Sequence, residues 1–171
     1  RKLMQVNPSP FSGYLNFNQF SIVSSSPERL VKIDNKIIET RPIAGTRPRA
    51  KEKIADKAIS TELLLNPKER AEHLMLVDLE RNDLGRICQA GSVHVTDFMF
   101  LEKYSHVSHI VSNITGVLKP DMSVFEILRS VFPGGTITGC PKVRCMEIIA
   151  ELESVPRGPY SGSFGYIGFA P

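Results

Sequence analysis

The sequence has few of the features that mark membrane and secreted proteins. No apolar run approaches the ~20 residues that a membrane-spanning helix needs, and no apolar stretch follows the basic start at Arg1 and Lys2. We therefore expect neither a membrane segment nor a signal peptide. Cysteine is scarce, and Cys88, Cys140 and Cys145 show neither a metal-binding spacing nor a disulfide framework. This usage predicts a reducing, cytoplasmic location.

A strong charge of one sign is also lacking, since the formal net charge is only +3 over 171 residues. Lysine and arginine are scattered and no aromatic residues alternate with them, which argues against a nucleic-acid partner. A small acidic substrate fits this mild basic balance better. The 42% of hydrophobic residues is typical of one domain or part of one. Because no initiator methionine is present and the last residues read as an interrupted strand, we expect a fragment.

Strand patterns are spread along the whole chain. They occur at residues 12–34, 37–40, 93–100, 107–117 and 158–170. Asp34 and Asn35 are suited to the turn of a hairpin. Residues 41–49 contain two prolines, which exclude a helix and predict a loop.

Helical periodicity accompanies these strands. It occurs at residues 51–65, 66–87 and 122–131 and in the segment from Pro141. Asn66 is suited to an N-cap, with Pro67 at the first helical position. One buried face of the last helix is predicted from Val143, Met146, Ile149 and Ala150. The mixture indicates an α+β fold, in which antiparallel sheets are flanked by helices, and not a βαβ alternation.

Two segments carry carboxylates in positions of interest. Glu28 follows a strand, where loops often hold catalytic groups, although a solvated surface glutamate would have the same local sequence. In the helix over 66–87, Glu72 and Asp83 share a stripe but lie ~16 Å apart along the axis, so they cannot bind one ion. A Mg2+ ion bound there would take one carboxylate from this helix and others from elsewhere. We interpret Asp78, Arg81 and Asp83 as structural partners of basic loops.

Two further segments contain polar groups. Strand alternation places His106 and His109 on opposite faces of the strand over 107–117, so one histidine is expected inside. A buried structural histidine is the ordinary explanation, and zinc would need a third ligand. The glycine- and threonine-rich turn at 134–139 precedes a helix and could bind an anion through backbone N–H groups. It lacks the ending of a Walker A loop, and a plain turn before a helix is the alternative.

Taken together, these segments resemble the chorismate-binding domain shared by anthranilate synthase component I and aminodeoxychorismate synthase component I. The resemblance covers essentially the whole chain and follows the order of the family's motifs. It rests on residues 7–11, 26–28, 41–49, 71–86, 104–107, 132–142 and 158–162. Because functional groups of the family beyond these motifs are absent, we expect residues 1–171 to be the central part of a catalytic domain, truncated at both ends.

The resemblance implies a role for each matching position. Glu28 would be the general acid that protonates the leaving 4-hydroxyl of chorismate. His109 would lie beside the ring and this hydroxyl, and Glu72 would be one ligand of Mg2+, with the second glutamate outside the chain. Contacts with the substrate would come from Ala44, Gly45, Thr46, Thr136 and Tyr160. Such groups suit a dianionic substrate from which a hydroxyl departs.

The resemblance leaves the product open between two enzymes. Some aminodeoxychorismate synthases have a nucleophilic lysine at the position of Ala44, whereas alanine is usual in anthranilate synthase, so Ala44 implies direct attack by ammonia. Residues 10–14, 79–82 and 135–145 look more like the aminodeoxychorismate branch. We therefore favour 4-amino-4-deoxychorismate as the product, with ammonia from a glutamine amidotransferase subunit, and keep anthranilate as the alternative.

The same residues bear on two other functions. Isochorismate and salicylate synthases resemble this fold, but their helix motif differs from residues 76–83 and their catalytic lysine would lie before residue 1. A non-catalytic module that binds an aromatic acid would be expected to have lost catalytic groups. Glu28, Glu72 and His109 are all present, which argues against such a module.

Overall fold

A five-stranded antiparallel sheet forms the centre of the chain in a computed structural model, which describes residues 1–169. The strands are β1 (Phe11–Asn16), β2 (Ser21–Ser26), β3 (Lys32–Asp34), β4 (Ile37–Thr40), β5 (Ile43–Pro48), β6 (His94–Lys103) and β7 (Val107–Val117). The helices are α1 (Lys2–Val6), α2 (Lys53–Leu65), α3 (Pro67–Ile87), α4 (Val124–Val131), α5 (Gly135–Thr138) and α6 (Lys142–Leu152). The predicted α+β class is confirmed.

The long strand β7 organises the main sheet. One of its edges is shared by β4, which pairs with residues 114–117, and by β5, which pairs with residues 107–111. β6 pairs along its other edge, and β3 extends the sheet from β4. β1 and β2 form a separate hairpin. Both faces of β7 are largely buried because helices and loops cover this sheet.

The prediction of a loop at residues 41–49 is wrong, because β5 occupies most of that segment. Pro42 precedes the strand and Pro48 is its last residue. β5 pairs only with β7, so its outer edge needs no further N–H donors. Proline is tolerated at strand ends and on edge strands, and therefore excluded a helix here without excluding a strand.

The predicted long helix is confirmed as α3. Its cap is also confirmed, since the Asn66 side chain accepts hydrogen bonds from the backbone N–H groups of Lys68 and Glu69. α3 lies against the sheet and buries one apolar side. The core contains Ile38, Val77, Leu84, Ile87, Cys88, Ile114, Leu118, Ile127 and Val131. No helix in the part of the chain that the structure describes is long and apolar enough to cross a membrane.

Two predictions near the end of the chain are wrong. In α6 the expected buried face is open, since Val143 and Met146 are 66% and 43% exposed and Ala150 is exposed. This helix packs against the short α5 and not against the sheet. Residues 158–169 form turns and irregular backbone in place of a strand, because no strand in residues 1–169 pairs with them. Ala170, the end of that predicted strand, lies outside the described residues.

Candidate active site

Glu28 occupies the connection between β2 and β3 and is turned toward β5. Its Oε1 accepts a hydrogen bond from the backbone N–H of Ile43 at 3.3 Å, and its Oε2 accepts one from the Thr136 hydroxyl at 3.0 Å. Burial raises the pKa of this carboxyl to about 7, although the Thr136 and Ile43 hydrogen bonds act in the opposite direction. A carboxyl of this kind keeps a proton near neutral pH and can deliver it.

Thr136 reaches Glu28 because α5 is packed closely on α3. A Cβ added to Gly135 would lie 2.5 Å from Leu79 Cδ2, so only glycine allows this approach. The Thr136 hydroxyl is occupied by Glu28 and is not free for a substrate carboxylate. The anion site expected at residues 134–139 therefore stays a prediction.

His109 is buried on β7 and is held from β5. Its Nδ1 lies 3.2 Å from the Gly45 carbonyl oxygen and 3.0 Å from Thr46 Oγ1. A carbonyl oxygen can only accept, so its contact places a proton on Nδ1, and in a neutral imidazole Nε2 is then the acceptor. The Tyr104 ring meets the imidazole edge-on, with centroids 5.4 Å apart. The expectation that one histidine lies inside is confirmed, because His106 is exposed.

Ala44, Gly45 and Thr46 form an irregular stretch of β5. Ala44 pairs with Ile110 and Thr46 with His109, so Gly45 is an extra residue in the ladder. Gly45 has a φ of +71°, and a Cβ there would lie 2.9 Å from Leu63 Cδ1. Both the backbone conformation and the space therefore require glycine.

Glu72 lies on the exposed side of α3, apart from Glu28. Within residues 1–169 its carboxylate makes no hydrogen bond or ion pair, and no cluster of three His, Cys, Asp or Glu side chains could hold a metal. A single unengaged carboxylate suits Mg2+, which keeps several waters and uses few protein ligands. One carboxylate is too few for a metal site in which the protein provides every ligand. The donor that the chain offers thus fits a partly hydrated Mg2+.

Glu69 was missed by the sequence analysis, although it lies three residues before Glu72 and hence on the same side of α3. Its carboxylate accepts a hydrogen bond from Arg47 at 3.0 Å. Its Oε2 also lies 3.0 Å from the position that a Cβ on Gly45 would take. The i, i+3 spacing of the two glutamates was the signal available in the sequence.

Tyr160 is not brought to the other candidate residues. Its ring is 72% exposed and contacts the Arg157 guanidinium, 5.4 Å from the ring centroid. Within the described residues no hydrogen bond joins Tyr160 to Glu28, Thr136 or His109. Its role in binding substrate stays a prediction.

Glu80 is a further buried acid that the sequence analysis did not single out. Its carboxyl lies 2.5 Å from the Thr40 hydroxyl, and burial raises its pKa to about 8. Its spacing from Val77 and Leu84 places it on the buried side of α3, which could have drawn attention to it.

The acids interpreted as structural do form ion pairs. Asp83 is buried and pairs with Lys142 at 2.5 Å. Asp78 is exposed and pairs with Arg81 on the same helix at 2.9 Å. These contacts agree with a structural role for Asp78, Arg81 and Asp83. The prediction that their partners are basic loops is wrong, because the ion pairs lie within α3 and between α3 and α6.

A narrow cleft opens beside Glu28 within residues 1–169. Its volume is about 10 Å³, and Ile43, Tyr104 and Val111 are among its lining residues. A cleft of this size accommodates no more than one water molecule. A larger, open cleft of about 540 Å³ lies between α3 and α6, away from His109. A substrate the size of chorismate therefore needs more room beside Glu28 than residues 1–169 leave.

The chain is similar to known proteins over nearly its full length. A family model described as chorismate binding enzyme matches residues 1–170. Aminodeoxychorismate synthase component 1 of Bacillus subtilis is 57% identical over 169 residues, covering 99% of this chain and 36% of that protein. Anthranilate synthase component 1 of Synechocystis sp. is 54% identical over 174 residues, covering 99% and 34%. The chain thus spans about a third of each of these relatives.

Solved structures show the same likeness. A crystal structure of anthranilate synthase component I from Streptococcus pneumoniae matches with a TM-score of 0.87 and 42% identity, covering 96% of this chain and 36% of that one. The menaquinone-specific isochorismate synthase of Escherichia coli matches with a TM-score of 0.71 and 22% identity, covering 80% and 31%. Because its sequence identity is low, the match to the isochorismate synthase shows a similar fold and nothing more.

Proposed function

The chain belongs to the chorismate binding enzyme family, and from this premise we propose that it carries part of the active site of a chorismate-aminating synthase. The proposed reaction is the Mg2+-dependent amination of chorismate by ammonia to 4-amino-4-deoxychorismate. The observation that carries the proposal is Glu28, a carboxyl that keeps a proton near pH 7 and is held in place from β5 and α5.

Glu28 acts in this proposal as the general acid. Its O–H bond breaks as the proton passes to the departing 4-hydroxyl, which leaves as water while ammonia attacks the ring. The carboxylate that remains is stabilised by the Thr136 hydroxyl and the Ile43 N–H, which already point at its two oxygens. Because these donors are in place before the reaction, little reorganisation is needed when the charge forms.

His109 positions the reacting part of the substrate. Its Nδ1 is engaged by β5, so the imidazole is fixed and its Nε2 accepts a hydrogen bond from the substrate. Ala44, Gly45 and Thr46 form one wall of the same pocket. Thr136 and Tyr160 bind a substrate carboxylate in the proposal. Because the Thr136 hydroxyl donates to Glu28, Thr136 contributes through the backbone around it.

Glu72 holds Mg2+ in the proposal, and the other ligands come from substrate, water and a second carboxylate outside this chain. When bound, Mg2+ supplies positive charge that offsets the negative charge of chorismate. The support for this role is that Glu72 is exposed and unengaged within residues 1–169.

The product is proposed from the side chain at position 44 and its surroundings. Ala44 is buried and carries no nucleophile, so ammonia attacks the ring directly. The same observation favours a second candidate, anthranilate synthase, and relatives with both names are more than 50% identical to the chain. We retain 4-amino-4-deoxychorismate because residues 10–14, 79–82 and 135–145 resemble that branch.

The partner and location follow from the same premise. The component 1 names of the relatives support a separate partner, for which we propose a glutamine amidotransferase that supplies ammonia. The free thiols of Cys88, Cys140 and Cys145 support a cytoplasmic location. We further propose that residues 1–171 are a central part of a longer catalytic domain, since they span about a third of the relatives.

Product identification tests the proposal. The complete natural protein is given chorismate, Mg2+ and ammonia, and the products are separated and identified by mass. A product that yields p-aminobenzoate only after a lyase is added supports the proposal. Anthranilate, detected by its fluorescence, would select the second candidate. Bound but unconverted chorismate would leave a non-catalytic binding module.

A further inference from the structure

Glu80 is a buried acid that the proposed reaction does not use. It lies on α3 with 9% exposure, and it contacts Thr40 at the end of β4. Thr40 is two residues before Pro42 and three before Ile43, whose N–H binds Glu28. Glu80 therefore supports the stretch of chain that holds the general acid.

The hydrogen bonds of Thr40 indicate the protonation state of Glu80. The Thr40 hydroxyl lies 3.0 Å from the Leu30 carbonyl oxygen and 2.5 Å from Glu80 Oε2. It has one proton, and the carbonyl oxygen of Leu30 can only accept it. Both contacts are satisfied when Glu80 is protonated, since Glu80 then donates to Thr40 and Thr40 donates to Leu30.

The charges around Glu80 agree with a neutral carboxyl. The charged groups that act on it are Glu28 from the β2–β3 connection, Asp83 on α3 and Lys142 on α6. Lys142 is already bound to Asp83 and to the Val131 carbonyl oxygen, at 2.5 and 3.0 Å. Lys142 is thus the cation that acts on this group of three carboxyls, and it is paired with Asp83. Burial raises the pKa of Glu80, and the charges of Glu28 and Asp83 act in the same direction, whereas the Thr40 hydrogen bond and Lys142 act against them.

We propose that Glu80 is a positioning residue for the general acid: as a neutral carboxylic acid it donates a hydrogen bond to Thr40, joins β4 to α3, and keeps a second negative charge away from Glu28. The inference rests on the proposed role of Glu28. When Glu28 passes its proton to the leaving hydroxyl it becomes a carboxylate, and Glu80 keeps its own proton. Glu28 therefore ionises next to a neutral neighbour.

The experiment compares Glu80→Gln with Glu80→Ala in the complete protein. Glutamine retains a neutral donor to Thr40, whereas alanine removes the donor. We expect Glu80→Ala to lower kcat roughly tenfold at unchanged KM, since the acid loses part of its support, and Glu80→Gln to restore most of this loss. Asp78→Asn, on the exposed side of the same helix, is the matched control and should leave kcat unchanged.

Infrared difference spectra at pH 7.5 test the protonation state without any activity. We expect a carboxylic acid C=O band in the parent protein that is lost in Glu80→Gln and kept in Glu28→Gln. Persistence of the full band in Glu80→Gln would overturn the proposal, as would equal losses of kcat in the glutamine and alanine variants. If Glu80→Ala does not fold, Glu80→Gln and its spectrum still decide the question.

The result is separable from the role of Glu28. Full activity of Glu28→Gln would refute the general acid, and with it the catalytic part of this inference, while leaving the infrared assignment intact. Loss of activity in Glu28→Gln with no effect of Glu80→Ala would keep the general acid and refute the positioning role.

Discussion

The two glutamates to which the family resemblance assigns chemistry lie in opposite surroundings. Glu28 is half-buried, both of its oxygens accept hydrogen bonds, and its pKa is raised to about 7. Glu72 is exposed on α3 and has no polar partner within residues 1–169. An acid needs a suitable pKa before its substrate arrives, so its surroundings must be built in advance. A metal ligand must instead stay available for its ion.

The difference therefore separates the surroundings of the general acid, which this chain provides, from the proposed metal site, for which it provides one ligand. The acid, its donors and the histidine next to β5 are assembled from residues 28–136. The carboxylate proposed for Mg2+ awaits ligands from elsewhere. Substitutions of Glu28 should accordingly change kcat, whereas substitutions of Glu72 should change the dependence of activity on Mg2+.

Removing the acid gives the largest expected effect. We expect Glu28→Gln to lower kcat by roughly 10²–10⁴-fold, the usual contribution of general acid catalysis. The fold should be kept, because glutamine has a similar volume and Ile43 N–H can still donate to its carbonyl. Steady-state kinetics and circular dichroism of the complete protein measure the two properties. Activity within twofold of the parent would erase the contrast with Glu72.

Removing the proposed metal ligand should change a different quantity. We expect Glu72→Ala to raise the Mg2+ concentration for half-maximal activity by about 10–100-fold, because a ligand is lost, while unfolding is unaffected. A Mg2+ titration of activity is the measurement. Asp78→Asn, at another exposed position of α3, is the control. An unchanged titration would show that Glu72 is not a ligand.

Gly45 tests the packing of β5 beside α2 and α3, independently of the two glutamates. Gly45→Ala should destabilise the protein by about 1–3 kcal/mol, since alanine meets Leu63 and is strained at positive φ. Gly85→Ala is the matched control, because a Cβ there meets nothing within 4 Å and alanine favours the helix. Chemical unfolding compares the variants. Equal stabilities would contradict the described packing of Gly45.

Substitution of Thr136 should have a small effect, namely a shift in the pKa of Glu28. Its hydrogen bond lowers the pKa of Glu28, so Thr136→Ala should raise that pKa further, by about half a unit to one unit. The alkaline fall in kcat would move upward by the same amount. Thr136→Ser keeps the hydroxyl and should resemble the parent. A downward movement in Thr136→Ala would show that another contact controls the acid.

The pH dependence of unfolding follows from the raised pKa of Glu28. A folded-state value of about 7, above the ordinary 4.5, means that the stability from the protonated form is full below 4.5 and lost as pH rises through 7. Glu28→Gln should remove this part of the decline, measured as unfolding free energy from pH 5 to 8. An unchanged slope would show that other acids with raised pKa values, such as Glu80 and Asp83, account for the decline.

The sequence predicted the elements whose signals are local. The cap at Asn66 and the periodicity of α3 were sufficient for the long helix, and alternation was sufficient for β7. β5 was mistaken for a loop because its existence depends on pairing with β7, which no local signal states. The open face of α6 was mispredicted for a related reason, since apolar spacing does not specify which element covers it.

The residues of the site also differ in whether local sequence signals predict them. Motif resemblance selected Glu28, Thr136 and His109, and the fold joins the first two directly. It did not reveal Glu80, whose importance arises from burial beside Thr40 and from neighbours distant in sequence. Electrostatic surroundings are a property of the packed molecule and cannot be read from spacing.

The extra residue in β5 has a consequence for how the chain can change over evolution. A regular ladder sets one residue opposite one partner, whereas the bulge lets Gly45 and Thr46 both engage His109. A chain shorter by Gly45 could pair Ala44 and Thr46 with the same partners in an unbroken ladder. Such a deletion would keep the strand pairing and lose the carbonyl oxygen of Gly45 that contacts His109 Nδ1. An insertion or deletion at this point of β5 would therefore change the surroundings of His109 while leaving the rest of the sheet paired.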